Sequence, residues 1–341
     1  MIFRLEVGSM GALAWAGITH VGKVRSVNED QFLAEPPVFL VADGMGGHDC
    51  GDVASALVTD AFISLVGRDA VETEVVERAV FDANSAVRRA AAHARSERAM
   101  GTTLVALVLV GAAGAERWVA VNVGDSRLYR LASGVLEQIT TDHSLVQEMV
   151  AAGSITASEA RTHPERNVVT RAMGISEAIV ADFAYLDVRE GDRFLLCSDG
   201  VHGELADEQL RVLLSRAGGP DEVAQVVCDA VLRGDARDNL TAVVIDVLGD
   251  GSSAGGEREV NEDTSPLADD EVADATSEPV ASEVEHRPDA VDEVDEVDDP
   301  SPAVAIMAVP DGVRVESGRD EPQQPDGDDS GPERVIEVPE W

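Results

Sequence analysis

Four aspartates in this sequence stand at strand boundaries, each followed by a small or amide residue: Asp43-Gly44, Asp125-Ser126, Asp199-Gly200 and Asp238-Asn239. One such pair is an ordinary turn signal. Four along one chain predict a shared carboxylate cluster at one end of a sheet sandwich. Gathered carboxylates repel one another, and a divalent cation is the usual remedy. Few histidines and no suitable cysteines stand beside them, so the donor set favours Mg2+ or Mn2+ over Zn2+. A second grouping, Arg25 with Glu29 and Asp30, places an anion binder beside two carboxylates. Alone it also reads as a solvated loop with a local ion pair.

The elements that must position these residues are legible as periodicities. Val38 to Ala42 is an uncharged run that enters Asp43 and a glycine-rich turn, which reads as a buried strand. Val53, Ala54, Leu57, Val58, Ala61, Phe62 and Leu65 have helical spacing within Gly51 to Val66, and a second, alanine-rich helix is expected from Glu72 to Arg98. Gly101 to Val110 is β-branched and apolar, a central strand. Arg117 to Val123, Leu128 to Leu131 and Val135 to Ile139 form a meander, so the sheets are expected to be antiparallel. Strands follow at Phe183 to Val188 and Arg193 to Cys197, helices at Asp207 to Arg216 and Asp221 to Arg233, and a last strand at Leu240 to Val247. Thr141 to Met173 is polar, with short helices near Leu145 to Val150 and Ser158 to Arg161. Its Arg161, Arg166 and Arg171 make a basic patch that suggests a mobile segment over a site; the plain alternative is a surface insertion.

The charge is distributed unevenly. The 341 residues carry a net charge of -39, and Asp250 to Trp341 holds 29 acids against 5 arginines, or -24. Nucleic acid and anionic membrane surfaces are poor partners for such a chain. No apolar run approaches the roughly 20 residues of a membrane span, and Met1 to Trp15 lacks the apolar block of a signal peptide. Cys50, Cys197 and Cys228 are far apart and fit no disulfide or zinc pattern, so a reducing, cytoplasmic setting is expected. After Gly249, aromatics are missing until Trp341 and acids dominate, which predicts a disordered tail with at most a short docking motif at Pro332 to Trp341.

In order and spacing, seven stretches resemble the metal-dependent Ser/Thr protein phosphatases, the PPM or type 2C family, in its bacterial form. They are Gly22-x-x-Arg25-x-x-Asn28-Glu29-Asp30, Asp43-Gly44-Met45-Gly46-Gly47-His48, Gly101-Thr102-Thr103, Asn122-x-Gly124-Asp125-Ser126-Arg127, Asp142-His143-Ser144, Ser198-Asp199-Gly200 and Asp238-Asn239-Leu240-Thr241. The resemblance runs from about Trp15 to Val247. It implies an α+β fold, a four-layer αββα sandwich of two antiparallel sheets flanked by helices. The implied domains are an N-terminal extension at 1–14, a catalytic domain at 15–249 and the acidic tail at 250–341.

The resemblance also implies roles. Asp43 would bridge two Mn2+ or Mg2+ ions, with the Gly44 carbonyl, Asp199 and Asp238 completing the pair. Asp125 with Asp199 would hold a third, weaker ion. Glu29 would hold a metal-bound water, Arg25 would grip the substrate phosphate, and the segment from Asp142 to Met173 would be a flap beside the cleft. Water between two cations then hydrolyses phosphoserine and phosphothreonine in proteins without a protein nucleophile. Implied partners are phosphorylated proteins, among them Ser/Thr kinases and their targets, met by a monomer. Two departures stand out. Met45 occupies the place of a histidine thought to be the general acid in mammalian relatives, which leaves His48, His143 or a metal-bound water as proton donor. His20 stands where many bacterial members have an acid. Alternative readings are a pseudophosphatase scaffold and a phosphatase dedicated to a sigma-factor regulator. The intact aspartates favour an enzyme.

Overall fold

The computed structural model of the protein describes residues 3–10, 13–46, 50–94, 100–112 and 115–249. His48 and the acidic tail with its terminal motif lie outside the described residues, and the helix expected to reach Arg98 ends earlier, at His93, because Ala94 takes an extended conformation.

Alternation of apolar side chains builds two sheets that share a core. In β4 (Val38–Ala42), Val38, Leu40 and Ala42 face a helical layer while Phe39 and Val41 face the opposite sheet. The same alternation in β7 (Leu104–Val110) and β8 (Arg117–Val123) leaves these strands buried on both faces. With β3 (Gln31–Glu35) and β11 (Asp182–Asp187) they form a five-stranded antiparallel sheet in the order β11-β8-β7-β4-β3. Helices α1 (Gly51–Ile63) and α2 (Thr73–His93) cover its outer face through Val58, Phe62, Val76 and Val80.

The second sheet has six strands. β1 (Phe3–Met10), β2 (Leu13–His20), β9 (Arg127–Ala132), β10 (Val135–Gln138), β12 (Arg193–Cys197) and β13 (Leu240–Val247) lie in the order β1-β2-β13-β12-β9-β10. Its outer face packs on α6 (Asp207–Leu214) and α7 (Pro220–Arg233) through Ile18, Leu195, Leu210, Val223 and Val227. Between the sheets Trp15, Phe39, Trp118 and Phe194 run edge to face, with ring centroids 5.8, 6.2 and 5.8 Å apart. Such contacts add about 0.5–1.5 kcal/mol each beyond the area they bury. The four layers are therefore helix, sheet, sheet, helix, as the resemblance implied. Among the described residues no helix is long and apolar enough to cross a membrane.

Two elements differ from the sequence reading. Residues 3–10, placed in an N-terminal extension, pair antiparallel with β2 from Phe3↔His20 to Met10↔Leu13, so they form an edge strand of the sheet. The apolar run from Gly101 to Val110 is not one strand. It breaks at Thr103 into β6 (Gly101–Thr102), which pairs with β5 (Gly44–Met45), and β7. The break has a local cause: the Thr103 amide and the Thr102 hydroxyl both donate to the Asp43 carbonyl, at 2.9 and 2.8 Å.

Candidate functional site

All four strand-end aspartates lie at one end of the sandwich. Asp43 leaves β4, Asp125 follows β8, Asp199 opens the single-turn helix α5 (Asp199–His202) after β12, and Asp238 precedes β13. Asp43 is pinned through its backbone, because its amide also donates to Thr103 Oγ1 at 2.9 Å. Its carboxyl lies within hydrogen-bonding reach of Asp199. Gly44 sits so close to α1 that a Cβ there would overlap the carbonyl oxygens of Gly51 and Glu29. Glu29 caps α1, accepting from the Gly51 amide at 3.2 Å, and Ser55 Oγ donates to the Glu29 carbonyl at 2.6 Å. Arg25 donates from Nη2 to Asp238 Oδ2 at 2.9 Å. The structure thus brings Arg25, Glu29, Asp43, Gly44, Asp125, Asp199 and Asp238 into one neighbourhood.

The electrostatics of this neighbourhood are unfavourable for acids alone. Burial, then the charges of Asp30, Asp199, Asp238 and Asp125, hold the Asp43 carboxyl well above the usual carboxylate range. Burial and then Asp199 do the same to Asp125. Asp199 is pushed up to about 6 by burial and then by Asp238, and Glu29 is raised by burial. One oxygen of Asp199, Oδ1, is buried with no protein partner. An orphaned carboxylate oxygen among mutually repelling acids fits a hard cation. Among the described residues no three carboxylates, histidines or cysteines converge on one ion position. Mg2+ commonly keeps several waters and takes only one or two carboxylates, so a cluster spread over more than one ion is chemically consistent.

A pH prediction follows from these shifts. The unfolded chain releases these protons near pH 3.8, whereas the folded chelated protein keeps some until about pH 6 to 7. Between those values the folded state binds more protons, so its stability falls as pH rises. Melting in EDTA is expected to show a decline in Tm from pH 4.5 to 7, with Mn2+ restoring Tm most at the upper end. A Tm in chelator that climbs across this window would show that the carboxylates are not mutually destabilised.

Sequence reasoning left three parts of the site without a role. Asp30 is buried beneath the cluster, where its Oδ2 accepts from Thr241 Oγ1 at 2.7 Å and from Ser198 Oγ at 2.8 Å. Burial pushes its carboxyl up to about 7. Asn239 ties the Arg25 loop to the start of β13: it accepts from the Glu29 amide at 2.8 Å and donates to the carbonyls of Val21 and Val27 at 3.0 and 2.9 Å. His202, at the end of α5, donates to the Asp125 carbonyl at 3.0 Å. The first two lie inside quoted motifs; His202 lies in a turn too short to show a period.

The flap segment is anchored at its base. Ser144 bridges Val169 and Thr102 bridges Met173, while Val169, Ala172 and Ile175 pack on Met45. It contains α3 (Leu145–Ala151) and α4 (Ala157–Ala160), close to the expected helices. Arg171 is not a free member of the basic patch, because it pairs with Asp182 at 3.1 Å. His143 is also committed. Its Nδ1 accepts from the Gly124 amide at 3.1 Å, which puts the ring proton on Nε2, 3.1 Å from Asp182 Oδ2. Burial lowers its pKa. Neither ring nitrogen is left over for a leaving group.

A two-sheet sandwich with helices on both faces and a carboxylate centre at one end defines a class of divalent-cation proteins. The chain belongs to the protein phosphatase 2C family, whose sequence profile matches residues 19–240. It is 38% identical over 242 residues to the serine/threonine protein phosphatase PstP of Mycobacterium tuberculosis, a match that covers 69% of this chain and 45% of that protein. The chain therefore spans about half the length of this relative. It is 32% identical over 240 residues to the serine/threonine phosphatase stp of Listeria monocytogenes, covering 67% of this chain and 93% of the relative. Among solved structures, M. tuberculosis PstP/Ppp superposes with a TM-score of 0.65 at 36% identity, covering 70% of this chain and 99% of that one. The PstP catalytic domain in complex with two manganese ions gives 0.63 at 35% identity, covering 72% and 100%.

Proposed function

We propose that this protein hydrolyses phosphoserine and phosphothreonine in other proteins, using two Mn2+ or Mg2+ ions and a third, weaker one. The observation that carries this reading is the buried carboxylate cluster around Asp43, with the unpartnered Asp199 Oδ1 inside it. The two manganese ions in the mycobacterial catalytic domain support the count. Asp43, the Gly44 carbonyl, Asp199 and Asp238 would hold the pair, and Asp125 with Asp199 the third ion. Bound there, the cations supply Lewis acidity to the phosphoryl oxygens and lower the pKa of water. The chain's own residues supply the frame. Thr102 and Thr103 fix Asp43, and Asn239 fixes the Arg25 loop against Asp238. Glu29 keeps a carboxylate beside the pair to hold a water, and Arg25 supplies a planar fork for the substrate phosphate.

The folded catalytic unit is 15–249 with the edge strand of residues 3–10 added. Its setting is cytoplasmic, its substrates include Ser/Thr kinases and their targets, and it works as a monomer. Phosphate release from phosphoserine, phosphothreonine and phosphotyrosine peptides tests the reading. The first two are expected to turn over with Mn2+. Binding of phosphopeptides without release of phosphate would make the protein a scaffold instead.

Arg25→Ala separates capture from chemistry. It removes a charge-assisted contact of about 1.5–3 kcal/mol, leaves every proposed cation ligand in place and frees Asp238 Oδ2 from its 2.9 Å partner. KM for a phosphopeptide is expected to rise roughly tenfold or more, with Mn2+ affinity not weakened. An unchanged kcat/KM would show that Arg25 serves only Asp238.

A further inference from the structure

His202 joins the two turns that carry Asp125 and Asp199. It is the last residue of α5, the helical turn that Asp199 opens, and Gly203 closes that turn by donating to the Asp199 carbonyl at 2.7 Å. The imidazole is buried, and its Nε2 lies 3.0 Å from the Asp125 carbonyl oxygen. A carbonyl only accepts, so Nε2 carries the proton. Asp125 therefore has its backbone tied to the same helical turn that presents Asp199.

The tie opposes a force. Asp125 and Asp199 are both acids taken out of water, and like charges there push their turns apart. On its other side the Gly124-Asp125-Ser126 turn is held by His143 through Gly124 and by Thr103 Oγ1, 2.7 Å from Ser126 Oγ. Those contacts fix the turn to the flap base and to the Asp43 support. On the Asp199 side the β9–β12 ladder places Arg127 opposite Cys197, and His202 adds a side-chain tie from α5 to the Asp125 backbone itself.

We infer that His202 is a positioning residue that sets the separation of Asp125 and Asp199, and through it how tightly a cation is held between them. This rests on the reading of the cluster as a divalent-cation centre. Asp199 is shared with the proposed Asp43–Asp238 pair, whereas Asp125 is assigned to the weaker ion alone, so the effect is expected on that ion.

Calorimetric titration of the full chain with MnCl2 tests this, with wild type compared to His202→Phe, His202→Asn and His202→Gln. Gln carries an amide N–H near the position of Nε2; Asn is too short and Phe has no donor. Phe and Asn are expected to raise the Kd of the weakest Mn2+ site by about tenfold or more, as loss of a ligand-orienting hydrogen bond commonly does. The tighter sites should stay as they are, and Gln should restore the weak site to within about threefold of wild type. Thermal melting checks that each variant is folded, and Asn and Gln serve if Phe is not. Mn2+ affinities identical in all four proteins would overturn the inference, as would equal loss in Gln and Phe. A wild type that binds no Mn2+ would instead overturn the cation centre itself.

Discussion

Asp43→Asn is expected to lower kcat/KM on phosphopeptides by about 10³-fold or more, roughly 4 kcal/mol of transition-state stabilisation. Asp43 is the acid on which the fields of Asp30, Asp199, Asp238 and Asp125 converge, so it is the carboxylate best placed to serve more than one ion. An amide keeps the shape and removes the charge. The fold should survive, because the Asp43 backbone is held by Thr102 and Thr103 and not by its side chain. In chelator the variant should melt at a higher temperature than wild type, since four repulsions are relieved. Near-normal turnover would remove Asp43 from the chemistry; unfolding would show that the side chain holds the strand end.

Gly200→Ala is the second large effect, and it reaches the site through the backbone. Gly200 follows Asp199 and lies against the strand entry that carries Asp238, where a Cβ would overlap the Asn239 carbonyl oxygen. Backbone cannot rotate away as a flexible side chain can, so α5 and the start of β13 must part. Overpacking of this kind costs about 1–3 kcal/mol, and a displacement near 1 Å can cost about 10²-fold in rate. A Tm several degrees lower and kcat reduced by about that factor are expected. A variant with wild-type Tm and rate would mean that Asp199 and Asp238 need not be held in this spacing.

The sequence made the sandwich legible because its central strands are buried on both faces. Val38 to Ala42 is wholly apolar, and Leu240 to Val247 is interrupted only by Thr241 and Asp246. The carboxylate cluster was legible for the same reason, since each acid marks a boundary of such a run. What depends on long-range partners was not. Residues 3–10 become a strand only by pairing with β2. Thr103 interrupts an apolar run because its amide and hydroxyl are used on Asp43, 60 residues earlier in the chain. His202 and Asp125 are 77 residues apart, joined by one hydrogen bond that no periodicity encodes. The arginines of the flap looked alike in sequence, and only the fold shows that Arg171 is taken up by Asp182.

Cation-dependent hydrolysis is the central claim, and its direct measurement is phosphate release from a phosphothreonine peptide by the full-length protein after dialysis against EDTA. Turnover should vanish in chelator and return in a saturable way as Mn2+, or Mg2+, is added back. Turnover that persists undiminished in chelator, with no response to added Mn2+, would contradict the account.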